Sequence, residues 1–408
     1  MNGRSDPQWP SVKLGPLVSF KTGKLNSNAA IPNGSYPFFT CSQEVFRTDS
    51  YSFDAEVVLL AGNNANGIYP IHYFRGKFDA YQRTYVIRSL DQTQLTNRFL
   101  FYTLRLKLEF LRNISTGAAT KFLTLTILND LDIGLPPITV QRKTAAILSA
   151  YDDLIENNTR RIRILEEMAR SLYNEWFMKS RFPGYEKVRI SDSRLGPMSQ
   201  RFRIRNLFEV AEVTYGFPFR SKQFSEKPVG KPVIRIRDIN RGLSNTFTTE
   251  EVHEKYRVKN GDFLVGMDGE FHMGKWVGGE ALLNQRVVRF RPKIRISPYL
   301  LFLALRAPID SFQSSIVGTT VAHLSDEDLR SIELLIPDEI LLEEMNPIFD
   351  SLLSLELNLG LRNINLRRTR DLLLPRLISG ELDVENLEIA VPEAAPNDET
   401  ATFAPATV

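Results

Sequence analysis

Apolar residues, with one Asn among them, recur at steps of three and four through one stretch in the middle of the chain: Leu148, Tyr151, Ile155, Asn158, Ile162, Leu165, Ala169, Leu172 and Trp176. That spacing marks the seam of a coiled coil, where one stripe of a helix stays buried along its length. Pro136 and Pro137 stop what comes before, and neither Pro nor Gly interrupts the run until Pro183, so one long helix is predicted over 138–180. At ~1.5 Å per residue, about forty residues make a helix of roughly 60 Å. A single module of the flanking size is too small to bury all of it.

A similar pattern returns near the C-terminus. Sliding the chain along itself by 337 − 136 = 201 sets Pro136 over Pro337, Gly117 over Gly318, Leu123 over Leu324, Ile133 over Leu334, Leu165 over Leu366 and Leu172 over Leu373. Leu352, Leu359, Leu366 and Leu373 then carry a second seam over 338–384, which Arg362 and Thr369 are expected to interrupt. At an offset of 193, "LGPLVSFKTG" from Leu14 lies over "LFEVAEVTYG" from Leu207. The chain reads as two copies of one plan, a globular module followed by a helix. The expected arrangement is an antiparallel pair of helices in a pseudo-twofold protein. The plainer alternative is two core helices, each packed on its own module.

Within the modules, 1–137 and 181–337, short β-rich runs alternate with Gly, Pro and Asn: "AEVVLLAGNN", "RTYVIRSL", "KPVIRIRDI", "GDFLVGMDG" and "NQRVVRF". Each module also holds one amphipathic helical run, "NRFLFYTLRLKLEFLRNI" or "SPYLLFLALRAPIDSFQSSI", and closes on a short apolar strand, "LDIGLPP" or "IELLIPD". The segment 385–408 is rich in Ala, Pro and Thr and poor in large apolar residues, which predicts a disordered tail.

Composition adds little until it is divided. The whole chain carries +3, but 1–137 has 14 Lys/Arg against 10 Asp/Glu, 138–180 has 7 against 6, 181–337 has 25 against 18, and 338–408 has 5 against 14. Two basic modules thus alternate with a near-neutral helix and an acidic end, and basic modules attract phosphate backbones. No apolar run suits a membrane span, and the N-terminus has no signal-peptide core, so a cytoplasmic protein is expected. The lone cysteine, Cys41, leaves no intrachain disulfide and no cysteine-based zinc cluster.

Catalytic signals are sparse. "GEFHMGKW" has the spacing of a phosphate-binding loop, but Trp276 stands where Ser or Thr should meet magnesium. His72, His253, His272 and His323 are scattered, and no nucleophile elbow or dinucleotide loop occurs. Asp262, Asp268 and Glu270 cluster in "GDFLVGMDGEF", where they could hold magnesium but are better explained as a turn between strands. A recogniser is a better reading than a catalyst.

Several segments jointly resemble the specificity (S) subunit of type I restriction-modification systems, the HsdS family. "LPPITVQRKTAAILSAYDDLIENNTRRIRILEEMARSLYNEWF" is similar to that family's central conserved helix, and "LLLPRLISGELDV" to the end of its distal one. "KPVIRIRDIN", "GDFLVGMDGEF", "LLNQRVVRFRP", "GKFDAYQRTYVI" and "NISTGAATKFLT" are similar to segments of its target-recognition domains. The resemblance spans nearly all of 10–388.

It implies an α+β chain in which two α/β target-recognition domains form a pseudo-twofold repeat joined by two long antiparallel coiled-coil helices. Each domain would read half of a split double-stranded DNA site. The helices would dock two methyltransferase (M) subunits, through which two restriction (R) subunits join, in a bacterial or archaeal cytoplasm. No cofactor would bind this chain; S-adenosylmethionine, ATP and magnesium would belong to the partners.

Readout needs Arg or Lys for guanine, Asn or Gln for adenine, and phosphate anchors around them. The candidates in loop-like contexts are Lys21, Lys24, Ser42, Gln43, Asn63, Asn64, Arg83, Thr120 and Lys121 in the first module. In the second they are Arg220, Lys222, Arg237, His272, Lys275, Arg286, Thr319 and Thr320. The candidate seam is Leu148, Ile155, Ile162, Leu165 and Leu172 against Leu352, Leu359, Leu366 and Leu373. Three alternatives stand beside this reading: the recognition subunit of a restriction class with a fused methyltransferase-nuclease, a coiled-coil scaffold that binds no DNA, and an enzyme using Asp268 and Glu270.

Overall fold

The computed structural model describes residues 9–64, 67–117, 120–193, 196–315 and 322–391. The predicted disordered tail falls mostly outside these residues, as do Thr319 and Thr320. Four long helices organise the chain: α1 (Asn97–Ile114), α2 (Ile138–Tyr173, continued by a π-turn at Asn174–Met178), α3 (Pro298–Ser315) and α4 (Glu339–Ser379). Two compact units emerge, 1–154 with 366–408, and 155–365. The division cuts through α2 and α4, so each unit holds one globular module and one end of each long helix.

In the first unit a six-stranded sheet runs in the order Val18–Thr22, Thr84–Ser89, Phe53–Ala61, Ile71–Ala80, Tyr36–Phe39, Phe46–Thr48. Helix α1 starts where the Thr96 side chain accepts a bond from Phe99 N, and it buries Phe99, Leu100, Tyr102 and Leu104. The same core takes in Leu148 from α2 and Leu374, Leu377 and Ile378 from α4. Gln141, fully buried, fastens the start of α2 to the module: it accepts from Thr96 N at 3.0 Å and donates to Gln94 O at 2.7 Å and Pro136 O at 2.9 Å. The predicted closing strand, Asp132–Gly134, pairs antiparallel with Ser11–Lys13.

The second unit builds two four-stranded sheets, one around Val287–Pro292 and Phe263–Gly266, the other around Lys231–Ile234 and Ala281–Leu283. Its closing strand, Glu333–Pro337, pairs with Phe202–Asn206, as its counterpart does in the first unit. The core gathers α3 with Ala169 from α2, Trp176 and Phe177 from the π-turn, and Met345, Phe349 and Leu352 from α4. One strand is shorter than its apolar run suggests. "KPVIRIRDI" is extended only over Lys231–Ile234 and then turns into a one-turn helix, Ile236–Ile239, because the Asp238 carboxylate accepts from Arg235 N at 3.0 Å while Asp238 N donates to Arg235 O at 2.8 Å.

The long helices run antiparallel in both units. Every predicted seam residue is buried or half-buried. The interruptions fall elsewhere than expected: Arg362 and Thr369 face outward, and Glu356, Asn363 and Arg370 enter the seam. The reason is the order of the steps. From Phe349 the stripe runs through Leu352, Glu356, Leu359, Asn363, Leu366 and Arg370, so one polar residue appears every seventh position.

Each of those polar residues meets a partner. In the first unit, Arg370 pairs with Asp152, which also accepts from Tyr102 Oη at 2.8 Å. In the second, Asn158 Nδ2 donates to Asn363 Oδ1 at 3.0 Å, and Asn363 Nδ2 reaches Thr159 Oγ1 at 3.2 Å. Deeper in that unit, Glu356 bonds Lys275 and accepts from Tyr299 Oη at 2.6 Å. A slip of one heptad would separate all three sets, leaving charges and amides unpaired at a cost of several kcal/mol.

Candidate nucleic-acid interface

In the first unit, one end of the six-stranded sheet collects most of the predicted DNA-facing residues. Asn63 and Asn64 form a short strand beyond Phe53–Ala61 and pair with Lys121–Phe122, Asn63 opposite Phe122 and Asn64 opposite Lys121. The loop carrying Ser42 and Gln43 joins them through Cys41, whose Sγ lies 2.9 Å from Asn63 Oδ1 and whose carbonyl accepts from Asn64 Nδ2 at 3.4 Å. Arg83 occupies the exposed turn between Ile71–Ala80 and Thr84–Ser89, its guanidinium 5.9 Å from the Phe122 ring centre. Lys24 is exposed beside Leu25, whose carbonyl accepts from Gln82 N at 3.0 Å in the same turn. Thr120 is half-buried next to Lys121. Lys21 lies apart, opposite Val86 along an edge strand, and the Ser42 hydroxyl accepts from Glu44 N at 3.2 Å, shaping its own loop.

The second unit places a cluster at the corresponding end. Asp268 bridges to His323, with Nδ1 of the ring 2.6 Å from Oδ1, while Oδ2 lies 3.3 Å from Arg286 Nε. Both oxygens of Asp268 are thereby engaged by nitrogen partners, which suits an orienting carboxylate better than a magnesium ligand. Arg286 is exposed, with φ at +75°, a left-handed conformation that a bulky residue adopts only under strain. Arg220 and Lys222 are exposed at one short helical turn, Ser221–Gln223, and Arg237 is exposed on the one-turn helix Ile236–Ile239, while His272 Nδ1 is 3.4 Å from Glu270 Oε2.

Lys275 is a correction. It was expected among the residues facing DNA, but its side chain is 13% exposed and is bound by Glu356 and, at 2.9 Å, by Glu166. Burial lowers its pKa, and the Glu166 carboxylate works against that. The group belongs to the helix seam, where a phosphate cannot reach it.

Sequence reasoning also passed over Phe122, His323, Gln82 and Gln285. A direct signal was present in the repeat: "YQRTYV" lies over "NQRVVR" at an offset of 203.

A model of the type I restriction modification DNA specificity domain matches this chain twice, over residues 7–167 and 200–358. The specificity subunit of the Escherichia coli type I restriction enzyme EcoDI is 34% identical over 41% of this chain and 36% of its own length. That of the Methanocaldococcus jannaschii enzyme MjaVIII is 24% identical over 95% of this chain and 96% of its own length. The solved S subunit of a type I restriction-modification system from M. genitalium superposes with a TM-score of 0.59 at 16% identity, covering 93% of this chain and 98% of that one, a likeness of fold.

Proposed function

The chain belongs to the family of type I restriction modification DNA specificity domains, and from that premise we propose that it is the non-catalytic subunit that selects the DNA site for a type I restriction-modification complex. Each module reads one half of a bipartite, asymmetric sequence. The helix pair docks two methyltransferase subunits, and through them restriction subunits assemble. S-adenosylmethionine, ATP and magnesium enter with those partners. The observation that carries the reading is the duplication itself: two modules that share the family match and the same closing-strand pairing, each with a polar cluster whose residues differ. Two readers with different side chains select two different half-sites. Among the described residues no helix is long and apolar enough to cross a membrane, which is compatible with a cytoplasmic setting.

Within this reading the candidate interface comprises Lys24, Gln43, Asn63, Asn64, Arg83 and Lys121 in the first module and Arg220, Lys222, Arg237 and Arg286 in the second. The test is to exchange 1–137 for the equivalent module of a relative and to sequence the methylated sites of a host that also supplies the methyltransferase subunit. One half of the methylated sequence should change and the other should stay. A change in both halves, or in neither, refutes independent readout.

A further inference from the structure

The turn holding Gln82 and Arg83 and the turn holding Gln285 and Arg286 sit in the same main-chain frame. Gly62 N donates to Arg83 O at 2.8 Å, and Met267 N to Arg286 O at 2.8 Å. Gln82 N donates to Leu25 O at 3.0 Å, and Gln285 N to Phe217 O at 2.8 Å. Leu123 N donates to Gly62 O, and Leu324 N to Met267 O, both at 2.8 Å. These bonds make Asn63 the counterpart of Asp268, and Phe122 the counterpart of His323; in each module the two residues face each other across an antiparallel pairing.

Within this matched frame the side chains behave in two ways. Gln and Arg recur in both turns at exposed positions, so burial in a core is not what places them there. Their neighbours diverge: an amide and a phenyl ring in one module, a carboxylate and an imidazole in the other. In the second module the arginine occupies a left-handed backbone conformation, one that residues other than glycine seldom adopt.

Two modules that read different bases still share one ligand feature, the phosphodiester backbone. Arginine meets it with two parallel N–H donors and no dependence on sequence, whereas base edges demand side chains that change with the target. We infer that Arg83 and Arg286 are equivalent phosphate anchors, one per module, and that the diverged pairs Asn63/Phe122 and Asp268/His323 beside them are specificity positions. Asp268 then has a second task, holding the Arg286 guanidinium in place, which Phe122 performs for Arg83 with its ring face.

The inference rests on the DNA-reading function proposed above, and the experiment separates the two. The full chain, copurified with its methyltransferase subunit, is titrated with duplex DNA over a range of salt, and the methylated sites are sequenced in parallel. Arg83→Gln and Arg286→Gln should each make the slope of log affinity against log salt shallower by about 0.9, and the double variant by about twice that, with the methylated sequence unchanged. Arg286→Gly, which suits the left-handed backbone, should give the same loss and guards against a folding defect. His323→Phe and Asn63→Ser should alter the methylated sequence in one half each and leave the slope as it is. An arginine variant that relaxes a base while keeping the slope would make the turn a base reader and overturn the assignment, as would arginine variants that leave both readouts unmoved. Absence of DNA affinity in the unaltered complex would instead refute the function from which the inference starts.

Discussion

The two ends of the helix pair solve one problem in opposite ways. In the first unit the polar layer is a bond between helices: Arg370 on α4 pairs with Asp152 on α2, and the module contributes Tyr102 and Arg105 around the carboxylate. In the second unit the cation comes from the module. Lys275 reaches out of a short strand, Met273–Lys275, to Glu166 on α2 and Glu356 on α4, while Tyr299 on α3 donates to Glu356. Asp152 keeps 28% of its side-chain surface in water, whereas Glu356 keeps 1%. The first layer chiefly ties helix to helix, and the second ties module to helices. The closing-strand pairing that the two units share therefore does not extend to the polar contacts that hold the helices.

The difference sets the size of what should follow from breaking each layer. Lys275→Met strips the cation from a buried carboxylate and should cost about 3–5 kcal/mol. Urea unfolding would show this as a lower midpoint. Adding Glu356→Gln, which removes the charge and still accepts from Tyr299, should recover most of the loss; an unchanged midpoint in the single variant would mean that the lysine is not buried in the seam. Arg370→Leu should cost less, about 2 kcal/mol, because Asp152 retains Tyr102, Arg105 and water. A larger loss than that of Lys275→Met would reverse the comparison.

The helix starts sharpen it further. Helix α2 follows Pro136 and Pro137 and is fastened by Gln141, which carries no charge. Helix α4 is capped by Asp338, which accepts from Leu341 N at 2.9 Å and forms a two-pronged pair with Arg201 at 2.7 and 2.8 Å. The Arg201 hydrogen bonds hold the Asp338 carboxyl below its ordinary pKa of 3.8. A depressed carboxyl stabilises the fold fully above the ordinary value, and that contribution disappears as pH falls through the lower folded value. Asp338→Asn should thus be less stable than the parent at neutral pH by about 1 kcal/mol or less, and the gap should close below about pH 4. Thermal melting of both proteins across pH 3–7 would show it, and a gap independent of pH would remove the ion pair from the account.

Much of this architecture is legible in the chain because its cause is periodic. A duplicated order of apolar runs, a seven-residue stripe and paired Pro stops depend on neighbours close in sequence, and Leu148, Leu165, Leu359 and Leu366 fall where that stripe puts them. The exposed Gln-Arg turns are visible in the same way, once the copies are laid over each other. What the chain could not disclose was the fate of its polar residues. Lys275, in a glycine-flanked turn-like segment, reads as a surface cation; it is buried because Glu166 and Glu356, 109 and 81 residues away, are brought to it by the fold. Glu356, Asn363 and Arg370 look like defects in a seam until Lys275, Asn158 and Asp152 are placed opposite. Apolar burial is nearly indifferent to which partner supplies the contact, so pattern alone determines it. A buried charge or amide needs one particular partner at hydrogen-bond distance, and only the tertiary structure decides which one that is.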